Sequence, residues 1–403
     1  MNVLMMSLMY PEDMADEVRR NAKDKLQNQI NSYQRAFVEG IRENLHPGED
    51  FQILNALPVG VFPFQYRKLR IPAGLHDENS IYELGCINLP WLKRRMRMKR
   101  ATRYIMRWAK QSPQNRTVLL YTLYLPFMQA IDRVKRHFPD MKACVIVTDL
   151  PNELGLSSGR KGLLKRLEYL WGSDSIALCQ RMDGFVLLTE PMASALKVRE
   201  KPFAIIEGLI CADAPSEDSV HQSAEPTRKT ALYTGTLEPD LGIQDLLSAF
   251  ETMPEYDLWI CGQGSMSEAA RAAASRCENI RYFGFVPQQE ALRLQAMATV
   301  LINPRSASGV FTRYSFPSKT LEYMRTGKPV LCYKLEGIPD EYDGYLCYIR
   351  QAGAQGIASA IRELFSRSPQ AIAALGEAAR TFVLENKNPA TQCKKLIKLL
   401  RSL

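Results

Sequence analysis

Lys319 and Glu322 are the two side chains whose types and spacing most directly suggest chemistry. They are three positions apart, so they share one face of a predicted helix. Lys319 would lie in the first turn, where the positive end of the helix dipole disfavours a cation by ~0.3–1 kcal/mol. A bound phosphate reverses that sign, because helix N-termini and lysines both attract phosphate. The pair predicts a diphosphate at the helix mouth and a ribose against Glu322; a surface ion pair is the structural alternative.

A loop, a helix of about three turns and a buried strand are predicted around this pair, between Ser315 and Leu331. Pro317 suits the first helical position, and Gly327 suits a left-handed stop. Pro329 then blocks any continuation of the helix. The lysine and the glutamate should therefore be held on a short helix between a loop and a strand.

Glycines and an arginine mark the ends of other strands predicted in the second half. The glycines at strand ends are Gly235, Gly262, Gly264 and Gly284. Glycine there lets backbone amides approach a ligand or permits a positive φ, although a tight strand-to-helix turn is the simpler explanation of one Gly-x-Gly. Arg305 follows a further predicted strand. Because ligands gather at the carboxyl ends of parallel strands, these positions and the Lys319 helix predict one ligand site.

Composition excludes several kinds of protein. The 403 residues have a formal charge of +9, with 46% apolar residues, four histidines and nine cysteines. Such a length predicts two domains, and the apolar fraction permits ordinary cores. The scattered cysteines are typical of reduced thiols in a cytoplasmic protein. Few histidines and no suitably placed D-x-D pair predict that neither a metal nor a cofactor is used.

Strands and helices alternate in both halves of the chain, which predicts an α/β fold of two doubly wound, mostly parallel-sheet domains facing a cleft. The predicted boundaries are residues 1–210 for the first domain, 211–385 for the second and 386–403 for a final helix. Residues 213–230 are rich in Ser, Glu, Ala and Pro and are predicted to connect the two domains. No apolar stretch is long enough to span a bilayer.

The first half offers an aspartate and two basic segments. Asp149 follows the strand predicted over residues 142–147, where a ligand would bind, although a cap or turn role is the alternative.

Residues 93–110 alternate Lys and Arg with Met, Ile and Trp. They predict a basic amphipathic helix suited to an anionic membrane, with a solvated helix that has one core face as the alternative. Nucleic acid is disfavoured because no recognised motif accompanies the charge. A second basic patch spans residues 160–166.

Residues from about 233 to 342 resemble the nucleotide-sugar-binding half of the GT-B glycosyltransferases of the family 4 group (glycosyl transferases group 1), especially bacterial surface-polysaccharide enzymes. The Gly-x-Gly, the strand ends described above and the helix between residues 315 and 327 carry the resemblance. It implies GT-B architecture, with twin Rossmann-like domains, the acceptor bound by the first and the nucleotide sugar by the second. It also implies that the helix around residues 389–403 crosses back to the first domain.

The family pattern carries over only at some positions. Glu322 matches the second glutamate of the family's pair, which binds the ribose, whereas Tyr314 stands at the first, which meets the donor sugar. Thr236 and Leu241 stand where an arginine and a lysine usually neutralise the diphosphate. Asp149 keeps the second residue of a His-Asp pair often found in the first domain. The nucleotide half of the pattern is therefore kept, and the sugar, phosphate and histidine positions differ.

The function expected from these observations is transfer of a hexose from a nucleotide diphosphate sugar, by family analogy a UDP-sugar, to a glycan or lipid-linked acceptor in surface-polysaccharide synthesis. Retention of stereochemistry and independence of metal follow from the resemblance. Lys319 and then Arg305 are the expected replacements for the missing cations, with Asp149 facing the acceptor. The residues expected to bind the donor are Glu322, Tyr314, Ser315, Phe316, Ser318, Gly235, Thr236, Gly262 and Gly264.

Two other functions compete with this one. A non-catalytic glycosyltransferase-like partner subunit fits the absent family landmarks. A sugar-nucleotide epimerase would need acidic and histidine groups around the sugar, which this chain places poorly. As an enzyme the protein is expected in the cytoplasm, peripheral at the inner membrane face through residues 93–110, and without a nucleic-acid partner.

Overall fold

The computed structural model describes residues 1–150, 175–210, 228–306 and 310–403, apart from residues 25, 27, 79 and 113. The chain divides into two compact units. The first comprises Met1–Cys211 and Pro389–Leu403, and the second comprises Ala212–Asn388. The basic patch at residues 160–166 lies outside the described residues, as does most of the predicted connection at residues 213–230.

The first unit is built on a parallel sheet of eight strands in the order β10-β9-β8-β7-β1-β2-β5-β4. Only β4 runs antiparallel to its neighbour, and β3 and β6 form a separate antiparallel pair. The strands are β1 (Asn2–Ser7), β2 (Asp50–Asn55), β3 (Arg70–Ile71), β4 (Gly74–His76), β5 (Ile81–Glu83), β6 (Cys86–Ile87), β7 (Arg116–Tyr121), β8 (Lys142–Val147), β9 (Gly184–Leu187) and β10 (Phe203–Ile205). The central strands are continuous apolar runs, as expected of parallel strands covered on both faces.

Helices connect these strands and cover the sheet. They are α1 (Ala15–Asn21), α2 (Asn28–Asn44), α3 (Leu92–Gln111), α4 (Leu125–Lys135) and α5 (Pro191–Ala195). Within the described residues, no helix combines the length and hydrophobicity needed to cross a membrane.

The second unit has a six-stranded, wholly parallel sheet in the order β13-β12-β11-β14-β15-β16. Its strands are β11 (Thr230–Thr234), β12 (Asp257–Cys261), β13 (Ile280–Gly284), β14 (Val300–Asn303), β15 (Val330–Cys332) and β16 (Cys347–Tyr348). Its helices are α6 (Ile243–Glu251), α7 (Ser267–Arg276), α8 (Gln288–Met297), α9 (Ser318–Arg325), α10 (Gly353–Phe365) and α11 (Pro369–Asn386). Strand order reverses direction at β11, beside β14, which is where doubly wound sheets usually bind ligands.

The last helix, α12 (Pro389–Ser402), belongs to the first unit and packs on α2. Cys393, Leu396 and Ile397 join the same apolar cluster as Phe37 and Ile41 of α2. The predicted α/β class with parallel sheets is thus confirmed. The last helix of the chain is part of the first unit.

Several predicted elements differ in extent. The sequence from Met14 to Glu43 has the pattern of one long helix. The structure divides it into α1 and α2, because Ala22 leaves the helix to form a bridge with Tyr66. The sequence from Ile81 to Leu89 suggests a single strand, but the structure interrupts it at Gly85, which has a φ of 58°. The predicted length of the helix that carries Lys319 is wrong. Helix α9 has eight residues, about two turns instead of three. Pro317 is its N-cap rather than its first residue, and the helix ends at Arg325.

Candidate functional site

Helix α9 is fixed to the end of strand β11 by one buried tyrosine. The hydroxyl of Tyr323 accepts a hydrogen bond from the backbone N–H of Thr234 (2.8 Å) and donates one to its carbonyl oxygen (3.0 Å). Burial raises the pKa of Tyr323, so the hydroxyl stays protonated and able to donate. Leu321 and Met324 are also buried, and Gly327 ends the helix with a φ of 71°. The opposite face of the helix is left for Lys319 and Glu322.

Lys319 and Glu322 form an ion pair on this outward face. The Lys319 Nζ lies 3.2 Å from Oε1 and 3.0 Å from Oε2 of Glu322. Their side chains are 33% and 38% exposed. An exposed pair of this kind stabilises a fold by about 0–1 kcal/mol, so the interaction alone gives little reason for a lysine at a helix N-terminus. Both groups remain accessible to a ligand.

A buried glutamine holds the other side of Glu322. Gln295 of α8 is fully buried, and its Nε2 lies 3.1 Å from both Glu322 Oε1 and Thr234 Oγ1. Its own Oε1 has no hydrogen-bond partner among the described residues. Sequence reasoning missed Gln295, because a single glutamine in a helix of mixed polarity gives no signal before its neighbours are known. The carboxylate therefore has one partly exposed partner, Lys319, and one buried partner, Gln295.

Arg305 approaches the same helix from strand β14. Its Nη2 lies 2.8 Å from the hydroxyl oxygen of Ser315, which precedes α9. Burial lowers the pKa of the Arg305 guanidinium, which still remains charged at neutral pH. The structure thus brings Arg305, Ser315 and the helix bearing Lys319 to one edge of the second sheet.

The remaining residues predicted for the sugar end differ in exposure. Tyr314 and Ser315 are half-buried and Ser318 is exposed. Phe316 is only 7% exposed, and its ring packs 5.4 Å from that of Tyr342. The Phe316 side chain is therefore a core residue, and only its backbone remains a candidate for donor contact.

The predicted glycines are pressed against the chain's own backbone. A Cβ at Gly262 would lie 1.7 Å from the Gly235 carbonyl oxygen, and one at Gly264 would lie 2.2 Å from that of Leu237. All three amides are already used: Gly235 donates to Cys261, Gly262 to Gly284, and Gly264 to the Ser267 hydroxyl.

These contacts favour the tight-turn explanation over amides that donate to a ligand. The glycines instead allow the loops after β11 and β12 to pack together. Thr236, in the first of these loops, is exposed, and its carbonyl oxygen accepts a hydrogen bond from Tyr233. Donor contact by these four positions stays a prediction, and it would involve carbonyl, Cα or side-chain atoms.

Asp149 belongs to the first unit, apart in sequence from the residues of the second. It follows β8, and its Oδ2 accepts a hydrogen bond from the Thr148 hydroxyl at 3.2 Å. Loss of surrounding water raises the pKa of Asp149, although the side chain keeps solvent contact. Its role towards an acceptor stays a prediction.

The edge of the second sheet offers two cations, one carboxylate and several hydroxyls, a set that suits phosphate and ribose oxygens. No group of three or more His, Cys, Asp or Glu side chains within the described residues is arranged to hold a metal.

Part of the second unit is similar to a known protein family. Residues 228–367 match the family described as Glycosyl transferases group 1. O-antigen chain mannosyltransferase B of Escherichia coli is 31% identical over 119 residues, which are 27% of this chain and 30% of that protein. The match thus spans less than a third of the length of that curated relative.

Solved structures resemble the whole chain. A sucrose-phosphate synthase from Thermosynechococcus elongatus has a TM-score of 0.65 at 14% identity, covering 100% of this chain and 99% of its own. The lipopolysaccharide outer core galactosyltransferase WaaB has a TM-score of 0.61 at 12% identity, with coverage of 100% and 99%. The catalytic domain of starch synthase IV from Arabidopsis thaliana has a TM-score of 0.63 at 11% identity, covering 100% of this chain and 98% of its own. The chain therefore has the GT-B fold, and its residues 228–367 are similar to the glycosyl transferases group 1 family.

Proposed function

We propose that this protein is a glycosyltransferase that moves a hexose from a nucleotide diphosphate sugar to a glycan or lipid-linked acceptor. The observation that supports this best is the position of the Lys319–Glu322 pair. It stands at the start of α9, inside the segment that matches the glycosyltransferase family. A helix N-terminus with an accessible lysine favours phosphate, and a neighbouring carboxylate favours the hydroxyls of a ribose.

In the proposed donor complex, Lys319 and Glu322 give up their ion pair and contact the donor instead. Lys319 leaves Glu322 for the diphosphate, and Glu322 accepts hydrogen bonds from the ribose hydroxyls while Gln295 keeps it in place. Arg305 adds the second cation beside the Ser315 hydroxyl. Tyr314, Ser315, Ser318 and the Phe316 backbone would meet the sugar end.

The proposed reaction replaces one bond at the sugar by another. The bond from the anomeric carbon to the diphosphate oxygen breaks, and a bond to the acceptor hydroxyl oxygen forms. The departing phosphate oxygen takes the proton of that hydroxyl, so no separate base is needed, and the product keeps the stereochemistry of the donor. Lys319 and Arg305 stabilise the charge that develops on the diphosphate, which can contribute several kcal/mol to the transition state without a metal. Asp149 would face the acceptor.

The finer assignments are that the donor is a UDP-sugar, that the product is a surface polysaccharide, and that the enzyme acts in the cytoplasm at the inner membrane face. The names of the relatives support the product class, because one acts on an O-antigen chain and another on lipopolysaccharide outer core. A panel of nucleotide sugars tests the donor, and full turnover in the presence of a chelator would support metal independence.

The decisive variant is Lys319→Ala. We expect turnover of the best nucleotide sugar to fall about 100-fold or more, with Lys319→Arg retaining part of it. Lys334→Ala is the matched control, because Lys334 is equally exposed (35%) and is also ion-paired, with Asp343. Equal turnover in Lys319→Ala and the wild type, with both folded by circular dichroism, would rule out the assigned role.

A non-catalytic partner subunit is the second candidate, and the observation in its favour is Tyr314. It stands where the family has its first glutamate, and the guanidinium of Arg313 lies 5.4 Å from its ring centre. Nucleotide binding in a thermal-shift assay without transfer or hydrolysis of any nucleotide sugar would favour this candidate. A ligand at about 100 times its Kd stabilises the folded state by ~2.7 kcal/mol, so binding alone is measurable.

A further inference from the structure

Helix α3 has two faces of opposite character, and its apolar face is already used. Ala101, Ile105 and Trp108 are buried in the first unit. Lys93 and Arg97 also point inward, where Lys93 donates to the carbonyl oxygen of Val59 and Arg97 to that of Leu57. The amphipathic helix predicted for a membrane therefore cannot insert its apolar side into lipid.

The outward face is a row of cations. Six basic residues of α3 are exposed, Arg94 among them, and five of these form the row: Arg95, Lys99, Arg103, Arg107 and Lys110. Their spacing of three to four residues keeps them on one side of the helix. None of these five forms an ion pair within the part of the chain that the structure describes, and no residue of α3 is acidic. The row is therefore a local positive charge along a 20-residue helix, about 30 Å long.

Large apolar side chains are exposed where this row begins. Phe64 is 75% exposed and Trp91 is 68% exposed, and Leu69, Leu89 and Leu92 are 40%, 36% and 37% exposed. The exposed side chains belong to two segments, residues 64–69 and residues 89–92. The fully buried Asn88 connects them, because its side-chain amide donates hydrogen bonds to the carbonyl oxygens of Gly60 and Lys68. Trp91 also has a φ of 63°, a strained conformation for a bulky residue. The structure thus keeps an aromatic side chain in solvent at a conformational cost.

We propose that this basic–apolar surface, formed by the five cations of α3 with Phe64, Leu69, Leu89, Trp91 and Leu92, docks the protein on an anionic phospholipid membrane. The basic side chains are attracted to the anionic headgroups, and the aromatic and leucine side chains enter the headgroup region. Nucleic acid would explain the charge but not the exposed leucines and aromatic rings beside it. Docking does not require the transfer reaction, and it is measured without any nucleotide sugar.

The charge is tested with vesicles of phosphatidylcholine with and without phosphatidylglycerol, by flotation. We expect the wild type to bind only the anionic vesicles and less at high salt, and the triple variant Arg95→Glu, Lys99→Glu, Arg103→Glu to bind at least tenfold more weakly. The matched control is Lys394→Glu, Lys395→Glu, Lys398→Glu, because these lysines are exposed on α12 and the change in net charge is identical. Equal losses in the two triple variants would overturn the proposal, as would stronger binding to duplex DNA than to anionic vesicles.

The apolar contribution has its own readout. We expect the emission of Trp91 to shift to shorter wavelength on anionic vesicles, and Trp91→Phe to remove the shift while binding persists. Phe64→Ala with Trp91→Ala should weaken binding several-fold and leave turnover of a water-soluble acceptor unchanged. An unshifted spectrum with full vesicle binding would overturn the insertion of this surface. Loss of turnover with normal vesicle binding would instead count against the proposed enzyme function alone.

Discussion

Glu322 accepts hydrogen bonds from two donors that differ in burial. Lys319 is one-third exposed on a flexible side chain, whereas Gln295 is fully buried. A phosphate that attracts Lys319 leaves the carboxylate bound to Gln295, still oriented towards a ribose. The glutamine Nε2 also contacts the Thr234 hydroxyl, next to the backbone that anchors Tyr323. The buried amide therefore positions the carboxylate whether or not Lys319 is in place.

This arrangement gives a prediction for Gln295→Met, which keeps the volume and removes the donor. A hydrogen bond to a charged group contributes about 1.5–3 kcal/mol, so we expect the KM of the nucleotide sugar to rise about tenfold and kcat to change less. Steady-state kinetics with varied donor separates the two. Gln34→Met is the control, since Gln34 is a fully buried glutamine bound to the backbone of Leu8 in the first unit. An equal rise in KM for both variants would show a general loss of stability instead.

Between elements, the loops after β11 and β12 depend on glycine for their packing. Gly262 has a φ of 142°, and its missing Cβ leaves room for the carbonyl oxygen of Gly235. The backbone of one loop thus fills the place where the other would carry a side chain. This contact sets the position of Gly235 and Thr236, which follow the strand that anchors α9. A change in the glycine loop should therefore affect the donor site through the backbone.

We expect Gly262→Ala to destabilise the protein by about 3 kcal/mol or more, because the φ is unfavourable for alanine and the Cβ would overlap a carbonyl. Gly344→Ala is the control, since nothing lies within 4 Å of its added Cβ. Urea denaturation measures both. A Gly262→Ala variant as stable as Gly344→Ala would mean that the two loops are free to separate.

For the whole molecule, the sequence was sufficient to predict the sheets and helices but not the contacts between individual residues. Alternating apolar strands and polar helices predicted two parallel sheets, because a strand buried on both faces must be apolar throughout. The sequence could not decide the role of the glycine loops, since a glycine can serve a ligand or a neighbouring loop. Gln295 was missed, because its importance depends on Glu322, 27 residues later. The outward row of α3 was predicted as basic, but only the structure shows which cations turn inward.

The last helix gives a prediction about the molecule as a whole. Helix α12 lies against α2, where Gly40 is so close that an added Cβ would be 2.3 Å from the Pro389 carbonyl oxygen. The Asn44 amide donates to the Ala390 carbonyl oxygen at 2.8 Å, and Leu396 is fully buried. The sequence-distant end of the chain therefore completes the core of the first unit.

We expect removal of residues 389–403 to expose the apolar face of α2 and to unfold the first unit in preference to the second. Hydrogen exchange resolved by peptides should show lost protection in β1, β2 and α2, and retained protection in β11, β12 and β14. Leu396→Ala should cause a milder form of the same pattern, at about 2–5 kcal/mol. Leu384→Ala is the control, because Leu384 is 40% exposed on α11, in the second unit. Loss of protection centred on β11–β14 in the truncated chain would contradict this prediction, because it would mean that α12 stabilises the second unit instead of the first.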